Sequence, residues 1–279
     1  MRDAAFRGLA VGFFDGVHLG HQAILRGADA ALTFRNHPLT VLAPERAPRL
    51  IMTPEERVAA IRACGVKDVA MLDFTSELAE MEAEEFVNSF LKRKGFLFPI
   101  RCGRNWRFGK GGVGDADFLR RQGIDVEVAP YVEYRGEKIS SSRIRACLER
   151  GEIEDANAML GRRYEVRGMR EEGKGLGRKL GYPTINFSLE KQDLRLPHGV
   201  YEVETEGAHG IANYGLAPTM GERAWRKPVL EVHLLHPSSL IPHPSSLISF
   251  VRFIRPERKF DSVEDLQRQI ALDCAKIGA

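Results

Sequence analysis

The chain changes texture once, near Gly161, and that change limits the folds open to it. Before it, short apolar runs alternate with helical patterns: Leu9–Phe13, Ala30–Phe34, Val69–Leu72, Phe96–Cys102 and Val126–Ala129 read as strands. Between them, Thr53-Pro-Glu-Glu56 is a capping box with proline at the first helical position. It starts a helix that Arg57–Cys64 carries and Gly65 stops. Glu84–Leu91 predicts a further helix with Phe86, Val87, Phe90 and Leu91 on one side. Strands separated by helices predict a parallel, doubly wound sheet, an α/β fold whose ligands gather at the carboxyl ends of the strands.

Two short helices, Ser142–Arg150 and Ile153–Leu160, split by Gly151, close this half. Then Tyr164–Arg167, Val200–Glu204, Gly210–Tyr214, Val229–Leu235 and Ile248–Ile254 alternate with period two. Glycine and proline punctuate them, which predicts a small antiparallel β-barrel. An amphipathic C-terminal helix, Val263–Ile277, follows with Leu266, Ile270, Leu272 and Cys274 inward. The expected domains are residues 1–161 and 162–279, and a 279-residue chain suits two domains of ordinary size. His236-Pro-Ser-Ser-Leu-Ile241 recurs as His243–Ile248 across Pro242. Two copies are too few for a solenoid, so the repeat reads as a flexible loop inserted into a hairpin.

Composition narrows the function classes. Forty-one basic against thirty-eight acidic residues leave a charge of +3, too little for a general nucleic-acid binder. No run approaches the roughly 20 apolar residues of a membrane-spanning helix, and Met1–Arg7 lacks the apolar core of a signal peptide. The cysteines, Cys64, Cys102, Cys147 and Cys274, have no C-x-x-C spacing and read as thiols in a reducing cytosol. A cytoplasmic protein without nucleic-acid or membrane partners is expected, with a weak homo-oligomer left open.

Four groups of residues carry chemistry. In Gly12-Phe-Phe-Asp-Gly-Val-His-Leu-Gly-His21 a strand runs into a glycine-bounded turn, and His18 and His21 stand three apart at a helix start, on one face. Free N–H groups there suit a triphosphate, and Gly12, Phe14, Asp15, Gly16 and Gly20 line the approach. An isolated pair of this kind would otherwise be two surface histidines at a turn. In Ile139-Ser-Ser-Ser-Arg-Ile-Arg145, Ser141, Ser142 and Arg145 suit an anion at a helix start, although capping serines and a solvated arginine read equally well alone. Gly103–Gly114 is a glycine-rich basic loop whose aromatics, beside Asn105 and Arg107, could stack on a planar ring. Single-stranded nucleic acid is the alternative, disfavoured by only six basic residues from Arg101 to Arg121. In Gly173–Asn186, Gly173 and Gly175 could cradle phosphates without forming a Walker loop. Thr184 and Asn186, two apart in an extended run, could hold Mg²⁺ with hard oxygens. Glu231 is the carboxylate best placed to accept a hydroxyl proton, although alone it reads as an outward strand residue.

Together these groups resemble the bacterial bifunctional riboflavin kinase/FMN adenylyltransferase family. Gly12–Gln22, Thr33-Phe-Arg-Asn-His-Pro38 and Ile139–Arg145 resemble its adenylyltransferase motifs. Leu180-Gly-Tyr-Pro-Thr-Ile-Asn186, Pro197–Tyr201, Asn213–Thr219 and Phe253–Phe260 resemble its kinase motifs. The resemblance implies a Rossmann-like nucleotidyltransferase domain followed by a riboflavin kinase-like barrel. The barrel would phosphorylate riboflavin from ATP with Mg²⁺, and the sheet domain would join FMN to the AMP moiety of a second ATP, giving FAD and pyrophosphate. It further implies His18 and His21 on the transferring phosphoryl group, Ser141 and Arg145 on nucleotide phosphates, Asn105 towards the flavin, Thr184 and Asn186 on the metal, and Glu231 as base. The chain departs from the family pattern where the repeat replaces an acidic segment after the Glu231 strand, and where Asn105-Trp106 stands for Asp-Phe. A second reading is therefore an adenylyltransferase whose kinase half only binds flavin, and a third is a non-enzymatic flavin- or nucleic-acid-binding protein.

Overall fold

Alternating side chains along the first strands decide where the core lies. The structure, a computed structural model, describes residues 7–93, 96–97, 99–172, 177, 181–189, 196–216, 228–235 and 244–278. Strands β1 (Leu9–Val11), β2 (Ala30–Phe34), β3 (Asp68–Leu72), β6 (Ile100–Gly103) and β7 (Val126–Ala129) form one parallel sheet in the order β3-β2-β1-β6-β7. Leu9, Val11, Leu32, Ile100, Cys102 and Val126 point to one face, where they pack with Phe86, Leu91 and Leu119. Ala10 and Ala31 point to the other, under Ile24, Leu25 and Ile61. Both faces are covered, as a parallel sheet requires.

The capping box at Thr53 forms as read, with Thr53 Oγ1 accepting from Glu56 N at 3.2 Å and Glu56 Oε2 from Thr53 N at 2.8 Å. The helix it starts runs Pro54–Ala63. Two expectations need correction. The run Phe96–Cys102 is not one strand: Phe96–Leu97 (β5) pairs with Lys92–Arg93 (β4) in a separate ribbon, and only Ile100–Gly103 joins the sheet. Pro99 sits between them, with no N–H for a ladder, and its carbonyl accepts from Leu9 N at 2.8 Å. The helix expected over Glu84–Leu91 is α-helical only from Ala83 to Phe86 and then opens into a π-turn, Val87–Leu91, which still buries Val87 and Leu91.

The chain divides into two compact units, Met1–Ser141 and Ser142–Ala279, whereas the sequence places the break at Gly161. After a two-residue ribbon, β8 (Glu133–Tyr134) with β9 (Glu137–Lys138), come the helices Ser141–Arg150 and Ile153–Leu160. The second of these packs on the barrel. Asn157 Nδ2 donates to Phe250 O at 2.9 Å, and Asn157 Oδ1 accepts from Tyr164 N at 2.6 Å.

The second unit is a closed antiparallel barrel, β10 (Tyr164–Glu171), β11 (Ile185–Ser188), β12 (Gly199–Thr205), β13 (Ala208–Leu216), β14 (Pro228–Leu234) and β15 (Ser245–Pro256), ordered β10-β11-β14-β13-β12-β15. Val166, Phe187, Tyr201, Leu230, Val232, Ile248 and Phe250 fill it. The second copy of the repeat is not loop, because its Ser245–Ile248 begin β15 and pair with Met169–Val166 of β10. Ile248 is buried and Leu247 exposed, so the copy carries the period two of a barrel wall. The first copy, residues 236–241, lies outside the described residues.

The terminal helix, Val263–Ala275, packs on the outside of the barrel through Cys274, with Ile270 and Ile277 against Val200 and Ile211. Of the expected inward positions Cys274 is buried and Ile270 half-buried. Leu266 is half-buried too, and Leu272 is 54% exposed because it lies 200° round the helix from Ile270. Asp273 takes that buried place. Its Oδ2 accepts from Arg255 Nε at 2.8 Å and its Oδ1 from Gln269 Nε2 at 2.8 Å. Removing one partner of such a pair leaves the other charge buried. Asp273→Ala should therefore lower the stability of the second unit by about 3 kcal/mol, read as a lower urea midpoint, while Leu272→Ala should shift it by less than about 0.5 kcal/mol.

Candidate active sites

The first site grows from the turn that leaves β1. Phe14 (φ 59°), Gly16 (φ 81°) and Val17 (φ 40°) all take left-handed conformations, which a β-branched residue such as Val17 does not adopt without strain. Contacts from distant residues hold the turn. The buried Asp15 carboxylate accepts from Ile51 N at 3.0 and 3.2 Å, Ser141 Oγ donates to Asp15 O at 2.9 Å, and Thr33 Oγ1 donates to Phe13 O at 2.9 Å. Asp15 thus faces inward. Gly12 closes against Leu32 O through its N–H at 3.2 Å.

His18 ends the turn as N-cap of the helix Leu19–Leu25, its Nδ1 accepting from His21 N at 3.2 Å. One N–H expected to stay open for phosphate is therefore occupied. The bond also leaves Nε2 as the protonated nitrogen of neutral His18. The two imidazoles stack, centroids 3.6 Å apart and planes 16° from parallel, with Phe14 edge-on to His21 at 5.4 Å. Gly20 leaves room for this, since a Cβ there would stand 3.1 Å from the His18 ring. Burial, then His18, then the Arg57 guanidinium hold His21 well below the usual histidine range, so it is neutral at physiological pH. His21 Nδ1 is buried without a hydrogen-bond partner.

The neighbouring strand β6 ends at Gly103, and Trp106 N donates back to Gly103 O at 3.0 Å, which turns Asn105 and Arg107 out as exposed residues. This puts them at the same edge of the sheet as the histidine turn, because β1 and β6 are adjacent and parallel. The aromatics of this loop do not form an open platform. Trp106 stacks on Phe108 at 4.7 Å, and Phe108 is buried in the core against Phe86 and Phe118. Ser142 and Arg145 belong to the second unit by contacts, where Arg145 Nη2 donates to Ser142 Oγ at 3.3 Å.

The second site lies on the outer wall of the barrel. Asn186 of β11 stands directly opposite Glu231 of β14, which stands opposite Asn213 of β13. Directly paired residues share a face, so the three form one row across three strands. Thr184 precedes Asn186 by two positions, and Gly177 passes so close that a Cβ on it would meet Thr184 Oγ1 at 2.9 Å. Asn186 Oδ1 is buried without a partner. Burial and then the Glu257 carboxylate raise Glu231, although its side chain keeps an exposed flank. His233, the next residue on that face, bonds Pro183 O through Nδ1 at 2.9 Å and fixes the strand leading to Thr184. Gly173 and Gly175 lie outside the described residues.

Sequence reasoning did not single out Arg57, nor Asn213 and Glu257 within the kinase-like motifs that contain them. Asn213 was within reach, since it sits in a period-two run at the phase of an outward residue. Arg57 in a helix after a capping box reads as solvent-facing, and only the fold buries it.

The chain is similar to known proteins in both halves. A family model described as FAD synthetase matches residues 4–143 and one described as riboflavin kinase matches residues 160–279. The chain belongs to the bifunctional riboflavin kinase/FMN adenylyltransferase family. Relatives bearing that name are 31% identical in Bacillus subtilis (strain 168), over 95% of this chain and 89% of the relative, and 34% identical in Pseudomonas fluorescens, over 95% and 90%. A solved structure from Streptococcus pneumoniae, described as a macrolide-efflux protein, superposes with a TM-score of 0.85 at 30% identity, covering 98% of this chain and 94% of that one. No helix among the described residues here is long and apolar enough to cross a membrane. The riboflavin kinase match spans the repeat, and nothing found supports an impaired kinase half.

His18 has two separable roles, cap and candidate phosphoryl ligand. His18→Asn, which keeps a capping oxygen, should leave the melting temperature of the first unit within about 2 °C of wild type. His18→Ala should lose about 1 kcal/mol by the same melting experiment.

Proposed function

We propose that the barrel unit phosphorylates riboflavin and the sheet unit adenylylates the resulting FMN, so that one chain makes FAD from riboflavin and ATP. The observation that carries this reading is the stacked His18–His21 pair, with His21 held neutral, at the strand-exit turn of a unit that the FAD synthetase model matches. In the sheet unit the FMN phosphate oxygen attacks the α-phosphorus of ATP and pyrophosphate leaves. No proton need be removed from that nucleophile, so catalysis is positioning and charge stabilisation. His18 Nε2–H and the His21 ring would donate to the phosphoryl oxygens, with Gly12, Phe14 and Gly20 shaping the approach and Asp15 bracing the turn from inside. Ser141, Ser142 and Arg145, all in the first turns of the helix Ser141–Arg150, would meet nucleotide phosphates. Asn105 and Arg107 would meet the flavin.

In the barrel unit Glu231 would take the proton of the ribityl 5′-hydroxyl as its oxygen attacks the γ-phosphorus and ADP leaves. The buried, unpartnered Asn186 Oδ1 and the hydroxyl of Thr184, two residues before it, are hard oxygens of the kind that suit Mg²⁺. When bound, Mg²⁺ neutralises charge on the ATP phosphates. Gly173 and Gly175 would border those phosphates. The partners on this reading are small molecules, ATP, riboflavin and FMN, with no nucleic acid or membrane.

Purified protein with riboflavin, ATP and Mg²⁺ should accumulate FMN and then FAD by chromatography. His21→Ala should cut FAD formation about a hundredfold or more while FMN formation stays within about twofold of wild type. Glu231→Gln should do the converse, and loss of both activities in either variant would refute separate sites. A raised Glu231 loses its basic form as pH falls through that raised value. The acid limb of riboflavin phosphorylation should therefore lie above the ordinary glutamate range, and Glu257→Gln should move it to lower pH in a pH–rate profile.

A further inference from the structure

The largest fully buried side chain among the described residues is a cation, Arg57, in the first unit. Its Nη2 donates to Phe34 O at 2.6 Å and Arg35 O at 2.9 Å, at the exit of β2. Its guanidinium lies 4.2 Å from the centre of the Phe13 ring, at the exit of β1. Nε and Nη1 find no acceptor among the described residues. Burial pulls the guanidinium down to about 10, against the favourable charges of Asp15 and then Glu55, so it remains cationic at physiological pH.

Energetics make this an odd structural choice. Burying a cation with two idle donor groups costs free energy that an apolar side chain of similar volume would not. The helix carrying it, Pro54–Ala63, already has its capping box and buries Ile61 without Arg57's help. What Arg57 does is join two segments from the helix side: the strained Phe13–His18 turn, through Phe13, and the Phe34–Pro38 segment, through two carbonyls. The second segment also meets Phe13 directly, since the His37 ring lies edge-on to it at 4.8 Å.

We infer that Arg57 is a positioning residue for adenylyl transfer: it locks the exits of β1 and β2 together and so sets where the His18–His21 pair stands. The inference rests on the adenylyltransferase reading of that pair. The charged or titratable groups that act on His21 are His18 from the turn and Arg57 from the helix Pro54–Ala63, and Asp15 and Glu55 act in turn on Arg57. Phe14 contributes an uncharged ring edge. Removing the Arg57 charge therefore takes away one of the influences that keep His21 neutral, and removing its fork frees the β2 carbonyls.

The test uses the full chain, with riboflavin phosphorylation by the second unit as internal control, and compares Arg57→Met with Arg57→Lys. In Arg57→Met, kcat for FAD formation from FMN should fall about a hundredfold, with the KM for ATP within about threefold and FMN formation unchanged. The His21 ring resonance, followed by NMR against pH, should titrate nearer the ordinary histidine range in Arg57→Met. Arg57→Lys retains a cation but not the fork, so it should keep the wild-type titration and still lose rate. Wild-type kcat and titration in Arg57→Met would overturn the inference. If Arg57→Met melts the first unit, Arg57→Lys decides: lowered kcat at an unchanged melting temperature supports positioning, and wild-type kcat overturns it. Should the wild-type chain itself make no FAD from FMN, the functional reading fails instead, and the NMR titration alone judges whether Arg57 controls His21.

Discussion

The first unit depends on a strained turn that the rest of the fold holds in place. Phe14 and Val17 take left-handed backbone conformations that each cost on the order of 1–3 kcal/mol. They persist because Asp15 is anchored on Ile51, its carbonyl is held by Ser141, and the His18 ring caps the following helix. Each anchor comes from a distant part of the chain or from the helix start, so the turn cannot relax without undoing tertiary contacts. The result is two imidazoles in face-to-face contact, an arrangement that disfavours a second proton and keeps His21 neutral.

The second unit solves a different problem with a regular device. A barrel wall has two faces, and the inner one is filled by residues such as Phe187, Leu230 and Val232. Their neighbours Asn186, Glu231 and Asn213 must then face outward in one row, because direct pairing puts them at the same height. Polar chemistry follows from strand register, with no backbone strain required. The C-terminal helix covers the adjoining outer surface at Val200 and Ile211.

Much of this was present in local pattern. The strands at Ala30–Phe34 and Val126–Ala129, the capping box at Thr53 and the glycine stop at Gly65 follow from short-range rules, and each appears in the structure. The errors share one cause, competition from partners far away in sequence. Phe108 belongs to the core because Phe86 and Phe118 reach it, Leu272 yields its place to Asp273 because Arg255 waits beneath, and Ser245–Ile248 are strand because β10 has open edge positions for them.

By itself, then, the sequence determined the two architectures and the turns and strand runs that carry the candidate sites, since periodicity, turn glycines and capping all act within a few residues. Only the tertiary structure decided which histidine caps and which stays unprotonated, that Glu231 shares its row with two asparagines, and that Arg57 is buried. Those outcomes depend on burial and on charges many residues apart, and no local pattern encodes either.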